Sequence, residues 1–259
     1  MRFVLLGAGK IAQLFLDRHQ REFRYSIDLV GIVTPPDVVA PFISADGAIS
    51  FATFLPLNMA DRQESELKEF LLYLRPDFIL SVQYPWILSS EILGLVGGRA
   101  LNLHNARLPQ YRGHNTISHE ILNKEQAHTI TLHWMAEEVD RGRIVLTSDI
   151  AIKSEDTAYS LWLRSVDVAV ALLAEFMSRC QAIVYRQEGK SVAFGGAYYS
   201  KTAIQALKRI PDGASLEDID RIARAFWFPP HEPAYFLNGD RRLYVLPSAY
   251  EYSNKVAHL

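Results

Sequence analysis

The sequence predicts an α/β protein: a doubly wound, mainly parallel sheet in residues 1–184, then a small helix-plus-hairpin appendage in residues 185–259. Three observations carry that prediction. Short apolar runs alternate with helical patterns over about the first 150 residues. A glycine turn, Gly7-Ala8-Gly9, joins the first run to the first helical pattern. Past about residue 185 the chain becomes rich in Tyr, Pro and Gly.

Arg2 to Leu6 is a compact apolar run that ends at glycine, and Ile11, Leu14 and Phe15 follow at helical spacing. Asp28 to Val33 is a second run, stopped by Pro35-Pro36 because proline cannot donate to a sheet ladder. Glu64 to Arg75 reads as an amphipathic helix with Leu67, Phe70, Leu71 and Leu74 on one face. Asp77 to Val82 and Ala100 to His104 are the third and fourth runs. Strands alternating with helices argue for parallel strands joined by right-handed crossovers. Ser118 to Leu122 reads as helical. From His128 to Met135, Ile130, Leu132 and Trp134 alternate with Thr129, Thr131 and His133, the period of a half-buried strand, and Arg143 to Ile152 pairs with it. Asp156 to Cys180 is a long helical stretch expected to cover the sheet. In the appendage, Ser215 and Asp218 cap a helix carrying Ile219, Ile222 and Phe226, which Pro229-Pro230 ends. Tyr235-Phe236-Leu237, Asn238-Gly239 and Leu243-Tyr244-Val245 then spell a hairpin.

Hydrophobic residues make up 49% and charged residues 22% of the chain, with a formal net charge of -2, an ordinary balance for a globular enzyme. It lacks the clustered Lys and Arg that nucleic acid or an anionic membrane demands, so neither partner is expected. The single cysteine, Cys180, rules out an internal disulfide and fits a reducing compartment. Met1-Arg2-Phe3-Val4-Leu5-Leu6 runs straight into glycine without a cleavage-type ending. The most apolar long stretch, Val166 to Met177, is interrupted by Asp167 and Glu175 and reads as too short to span a bilayer. A cytoplasmic protein is expected.

Gly7-Ala8-Gly9-Lys10-Ile11-Ala12 satisfies G-x-G-x-x-A between a strand and a helix, the turn that in dinucleotide-binding Rossmann domains sets a pyrophosphate on a helix N-terminus. The fingerprint also calls for an acid at the end of the second strand, and that strand ends Val33-Thr34-Pro35-Pro36. Three readings stay open: a nicotinamide cofactor, a phosphate held by Lys10 and the helix N-terminus, or a turn that serves only the fold.

The most informative segment is Leu101-Asn102-Leu103-His104-Asn105-Ala106-Arg107-Leu108-Pro109-Gln110-Tyr111-Arg112-Gly113. Asn102 and His104 lie two residues apart on a strand, so both point to one face, at the C-terminal end where open α/β sheets place ligands. Glu137-Glu138-Val139-Asp140-Arg141-Gly142 is a turn between two later strands that can carry Asp140 back toward His104. An amide, an imidazole and a carboxylate supply what acyl transfer to an amine needs. The amide holds an oxyanion, worth about 3–4 kcal/mol. The imidazole takes the proton of the attacking amine, and the carboxylate orients the imidazole. His114, His119, His128, His133, His231 and His258 show no metal spacing, and His119-Glu120 lacks the second histidine of a zinc helix. No metal is expected.

N-x-H-x-x-x-L-P-x-x-R-G followed by D-x-G-x-I resembles the signature of the 10-formyltetrahydrofolate-dependent formyltransferases, over about residues 1 to 180. The resemblance implies that family's variant of the Rossmann fold, with N10-formyltetrahydrofolate as co-substrate. It implies Asn102, His104 and Asp140 as the catalytic set. It also implies a pterin pocket between Trp86, Ile87 and Leu88 on one side and Ala136, Glu137, Glu138 and Val139 on the other. Lys10, Gln83, Tyr84, Arg112, Asn115, Tyr198 and Tyr199 are the expected substrate contacts. The chain departs from the family at Ala106, where serine is usual, and at Arg107, where leucine is common.

A transfer-RNA formyltransferase would add a β-barrel with a basic face, and a purine-pathway enzyme would end soon after the long helix. Residues 185–259 offer one helix and one hairpin instead. Arg224 to Phe236 and Tyr198-Tyr199-Ser200-Lys201 are similar to the nucleotide-sugar N-formyltransferases, whose overall look is closest here in the enzymes that act on GDP-perosamine in O-antigen synthesis. That group often pairs through this region, which implies a homodimer joined through residues after about 225. The rival from another class is a nicotinamide-dependent oxidoreductase acting on a nucleotide sugar; a non-catalytic sugar-nucleotide-binding module is the third.

Overall fold

The computed structural model of the chain describes residues 1–35, 53–56, 64–192 and 195–248. Pro36 and His258 lie outside the described residues. The chain opens with β1 (Arg2–Gly7), α1 (Gly9–Glu22), β2 (Asp28–Thr34), β3 (Thr53–Pro56), α2 (Glu64–Leu74), β4 (Phe78–Val82), α3 (Ser90–Leu95) and β5 (Ala100–His104). There follow β6 (Tyr111–Gly113), α4 (Thr116–Leu122), β7 (Ala127–Trp134), β8 (Ile144–Ala151) and α5 (Ala158–Arg186). The last elements are β9 (Ala197–Tyr199), a short 3-10 helix (Ala203–Lys208), α6 (Leu216–Phe226), β10 (Tyr235–Asn238) and β11 (Arg241–Tyr244).

The main sheet has seven strands in the order β3-β2-β1-β4-β5-β7-β8. The first five run parallel, and β7 runs antiparallel to β5. Period two along the strands explains why helices cover both faces. From β1, Val4 and Leu6 join Leu67, Leu71 and Leu74 of α2 and Ile92 and Leu93 of α3 in one core cluster. The alternate residue Phe3 turns the other way, stacking on Phe78 and meeting Phe15 of α1. Phe78 in turn meets Phe176 of α5 edge to face. The fold is the expected doubly wound, mainly parallel sheet.

Several differences from the sequence reading have physical causes. Helix α5 runs 29 residues, starting two residues after the predicted Asp156 and ending six past Cys180, and is apolar and long enough by composition to cross a membrane. The stretch was expected to be too short for that. Its apolar side belongs to the core: Ala169, Leu173, Phe176, Met177, Cys180 and Ile183 are buried, while Asp167, Glu175 and Arg179 interrupt the sequence around them. Helix α4 starts two residues earlier than read, after Asn115, whose left-handed backbone (φ 54°) turns the chain into it. Strands β3, β6 and β9 and helix α3 were not anticipated; β6 and β9 are three residues each, too short for periodicity to register.

The chain forms two compact units. The first comprises Met1–Arg112, Thr129–Ser148 and Ser165–Ala197; the second comprises Gly113–His128, Asp149–Arg164 and Tyr198–Leu259. The sequence suggested one cut near residue 185. Instead the C-terminal part shares a core with earlier chain: Ile117 and Ile121 of α4 and Leu161 of α5 cluster with Ile204, Ile210, Phe226 and Ala234. Helix α6 is capped as expected, with Ser215 Oγ accepting from the Asp218 N–H. Phe236 and Val245 of the hairpin region pack on the same cluster.

Candidate active site

Within the first unit, the C-terminal ends of β4 and β5 carry the polar side chains singled out by spacing. Asn102 and His104 lie on one face of β5, and the antiparallel register sets His133 of β7 directly opposite Asn102 and Thr131 opposite His104. That row of β7 holds the β5 segment in place. Thr131 Oγ1 donates to the Ala106 carbonyl (2.7 Å), and Arg107 Nε donates to Thr129 Oγ1 (3.0 Å). The two departures from the family pattern are thus accommodated: Ala106 is fully buried, and Arg107 has its partner on β7.

Asp140 reaches the same place from the turn between β7 and β8. Its backbone is left-handed (φ 56°), a conformation non-glycine residues adopt rarely. Two residues later, a Cβ on Gly142 would stand 1.6 Å from the Trp134 carbonyl oxygen, so only glycine lets the turn pass over the end of β7. The Asp140 carboxylate then faces two imidazoles, with Oδ2 3.8 Å from His104 Nδ1 and Oδ1 3.6 Å from His133 Nε2. These distances exceed a hydrogen bond and lie within ion-pair reach. The other ring nitrogen of His104 is committed, since Nε2–H donates to the Tyr111 carbonyl at 2.6 Å. His104 and Asp140 are each about nine-tenths buried.

His133 is the residue that sequence reasoning passed over. Its Nδ1–H donates to the Trp134 carbonyl (2.8 Å), and its Nε2 accepts from Asn102 Nδ2 (3.2 Å). Burial, reinforced by the neighbouring His104 charge, lowers its pKa to about 4, against the opposing pull of Asp140 and the Trp134 carbonyl. The ring is therefore neutral near pH 7. Ser81 at the end of β4, equally unforeseen, donates from Oγ to Asn102 Oδ1 (2.9 Å). The signal for His133 was present in the alternation Thr129, Thr131, His133; it needed the β5–β7 register to be read.

The remaining expected residues fall in two groups. Lys10, Gln83, Tyr84, Arg112, Trp86, Ile87, Leu88 and Ala136 to Val139 belong to the first unit; Asn115, Tyr198 and Tyr199 belong to the second. Trp86 to Ser89 run outside any helix or strand, with Leu88 buried, Ile87 exposed and Ser89 Oγ capping α3. Tyr84 meets Trp86 edge to face, and burial pushes its phenol pKa well up. Ala136, Glu137 and Glu138 are exposed, with Glu138 paired to Arg141 (3.4 Å). Lys10 is exposed on the first turn of α1. In the second unit Tyr199 stacks on His119 (centroids 3.9 Å apart), and the His114 N–H donates to the Tyr199 carbonyl (2.8 Å).

The glycine loop is spoken for within the chain. Gln83 Oε1 accepts from the Ile11 N–H (2.9 Å) at the N-terminus of α1, and a Cβ on Gly9 would meet the same oxygen at 2.9 Å. A side-chain amide thus sits on the turn where the dinucleotide reading places a pyrophosphate. The buried ionisable groups His104, His133 and Asp140 lie at the β5–β7 end of the sheet, whereas Lys10 of the glycine loop is exposed. Among the described residues no group of three or more His, Cys, Asp or Glu is arranged to hold a metal ion.

Residues 1–177 match the family model described as formyl transferase, more than half of the chain. The GDP-perosamine N-formyltransferase of Brucella melitensis is 30% identical over 204 residues, 75% of this chain and 73% of that protein. The crystal structure of a sugar N-formyltransferase from Shewanella is similar with a TM-score of 0.74 at 20% identity, covering 98% of this chain and 99% of that one. An N-formyltransferase from Helicobacter canadensis, solved with folinic acid and dTDP-3-aminofucose, gives a TM-score of 0.65 at 20% identity over 87% of this chain and 80% of its own. The chain belongs to the formyl transferase family and is an N-formyltransferase.

Proposed function

We propose that the chain transfers a formyl group from N10-formyltetrahydrofolate to the amine of a nucleotide-linked amino sugar, with GDP-perosamine as the acceptor, in the cytoplasmic synthesis of O-antigen. The observation that carries the reading is the convergence of Asn102 with the nine-tenths-buried His104 and Asp140 in one corner of the sheet. The acceptor rests on the 30% identity to the Brucella enzyme, and the donor on the folate-bound relative of the same fold.

In this reading Asn102 donates its free amide N–H to the formyl oxygen as the amine adds to the formyl carbon and the C=O electrons move onto that oxygen. Donors of this kind are worth a factor of roughly 100 to 1,000. With Nε2–H of His104 held by the Tyr111 carbonyl, Nδ1 is the nitrogen left to accept the proton the amine loses. Asp140 faces that nitrogen and stabilises the imidazolium that forms when it takes the proton. The oxygen's electrons then re-form the carbonyl, the bond to folate N10 breaks, and N10 takes up a proton to leave tetrahydrofolate and the formamide. The pterin fits against Trp86, Ile87 and Leu88, whose backbone is committed to no helix or strand, with Ala136 to Val139 opposite. Lys10 and Arg112, both of the first unit, supply cations of the kind a diphosphate requires.

The test offers purified protein N10-formyltetrahydrofolate with GDP- and dTDP-linked amino sugars. The expected result is a mass gain of one formyl group on GDP-perosamine. Gain only on a dTDP sugar would overturn the acceptor, and gain on none would overturn the sugar reading.

A further inference from the structure

The Asn102 amide has two ends, and only one presents donors. A rotation of half a turn about its last side-chain bond would put the carbonyl oxygen where the N–H stands, with no change in shape and an inverted polarity. What decides the orientation is therefore a functional question. Two hydrogen bonds decide it in series, and a third holds the other end. The Trp134 carbonyl accepts from His133 Nδ1–H (2.8 Å), which leaves Nε2 of the neutral ring as a lone pair. That lone pair accepts one N–H of Asn102 Nδ2 (3.2 Å). On the far side, the Ser81 hydroxyl donates to Asn102 Oδ1 (2.9 Å). The His133 lone pair accepts only this orientation of the amide, and the Ser81 hydroxyl, which can donate or accept, completes it by donating to the oxygen. Ser81 and His133 are almost wholly buried, whereas Asn102 is half-buried, and its second N–H has no acceptor among the described residues.

We propose that Ser81 and His133 are positioning residues that clamp the Asn102 amide from both ends so that its remaining N–H faces the reacting carbonyl. This rests on the reading of Asn102 as the oxyanion donor. The clamp acts through Asn102, by keeping the donor aimed before the transition state forms, so it acts on kcat more than on substrate binding. Burial keeps His133 neutral, which the clamp requires, because an Nε2–H would repel the amide N–H and favour the opposite orientation. Antiparallel β7 makes this possible, since it sets His133 directly across from Asn102.

The test measures steady-state formyl transfer in Ser81→Ala and His133→Phe, each alone and combined with Asn102→Ala. The expected result is a fall in kcat of roughly 10-fold or more in each single variant, with KM for both substrates within about twofold. In the Asn102→Ala background neither change should lower kcat further. His133→Gln, whose Oε1 can accept the same N–H, should recover much of what His133→Phe loses. If His133→Phe does not fold, Ser81→Ala and His133→Gln carry the same comparison. An equal fold-loss with and without Asn102, or unchanged kcat in both single variants while Asn102→Ala is impaired, overturns the clamp alone. Near-normal turnover in Asn102→Ala overturns the donor reading and the clamp with it.

Discussion

At the scale of single residues, His133 ties stability to pH. Its ordinary pKa of 6.5 falls to about 4 in the folded chain, with burial the largest cause. Between those values the unfolded state binds more protons than the folded one, so stability rises with pH across the window and is lost as pH falls through it. The effect is on the order of 3 kcal/mol by the usual conversion. Thermal melts from neutral pH down to about 4 should therefore show a falling Tm in the parent protein. A His133→Phe variant should show a shallower fall; an equal slope in the two would contradict this account. His19 and His119, also lowered by burial, add slope of the same sign to both proteins and leave the difference to His133. Residue chemistry was only partly legible beforehand. Asn102 and His104 announce themselves because two polar side chains on one face of a buried strand are costly without a task. Ser81 does not, since a lone serine at a strand end has many uses. The Gly7 to Ala12 fingerprint misled in a different way: it specifies a turn, and the partner of that turn, Gln83, lies 72 residues from Ile11 in the sequence.

At the scale of elements, the helices and parallel strands of the first unit follow from apolar periodicity, and α2 ends within a residue of its reading. Register is another matter. The alternation along β7 fixes which residues share a face and leaves open which neighbour they face. Only the antiparallel pairing with β5 turns Thr129, Thr131 and His133 into supports for the loop and the amide. Gly142 shows the converse: the D-x-G spacing was visible, and its reason, the Trp134 carbonyl beneath the turn, was not. The hairpin β10–β11 forms where Asn238-Gly239 placed it. Phe236 and Val245 pack on the second unit's core, while Leu243, Tyr244 and Leu246 remain about half exposed. Two-stranded hairpins are marginal without further packing, and symmetric dimers favour such residues. The proposed homodimer through residues after about 225 follows from this element. Light scattering at micromolar concentration should give twice the chain mass of 29.4 kDa, and a clean monomer would reject the dimer.

At the scale of the whole molecule, the fold class and the family were legible because each is written in local pattern: period two and helical spacing for the sheet, two short motifs for the chemistry. The division into units was not. Ile117, Leu161 and Phe226 lie far apart in the chain, and nothing local records that they share a core. The central claim is that Asn102, His104 and Asp140 perform formyl transfer as one device, built by a strand end and a turn that meet. Turnover of N10-formyltetrahydrofolate and amino sugar by His104→Asn, Asp140→Asn and the double variant tests it most directly, with folding checked by circular dichroism. Each single variant should lose a factor of roughly 100 or more in kcat, and the double variant should be scarcely worse than either. Near-normal turnover in one correctly folded single variant, or losses that multiply in the double, would contradict it.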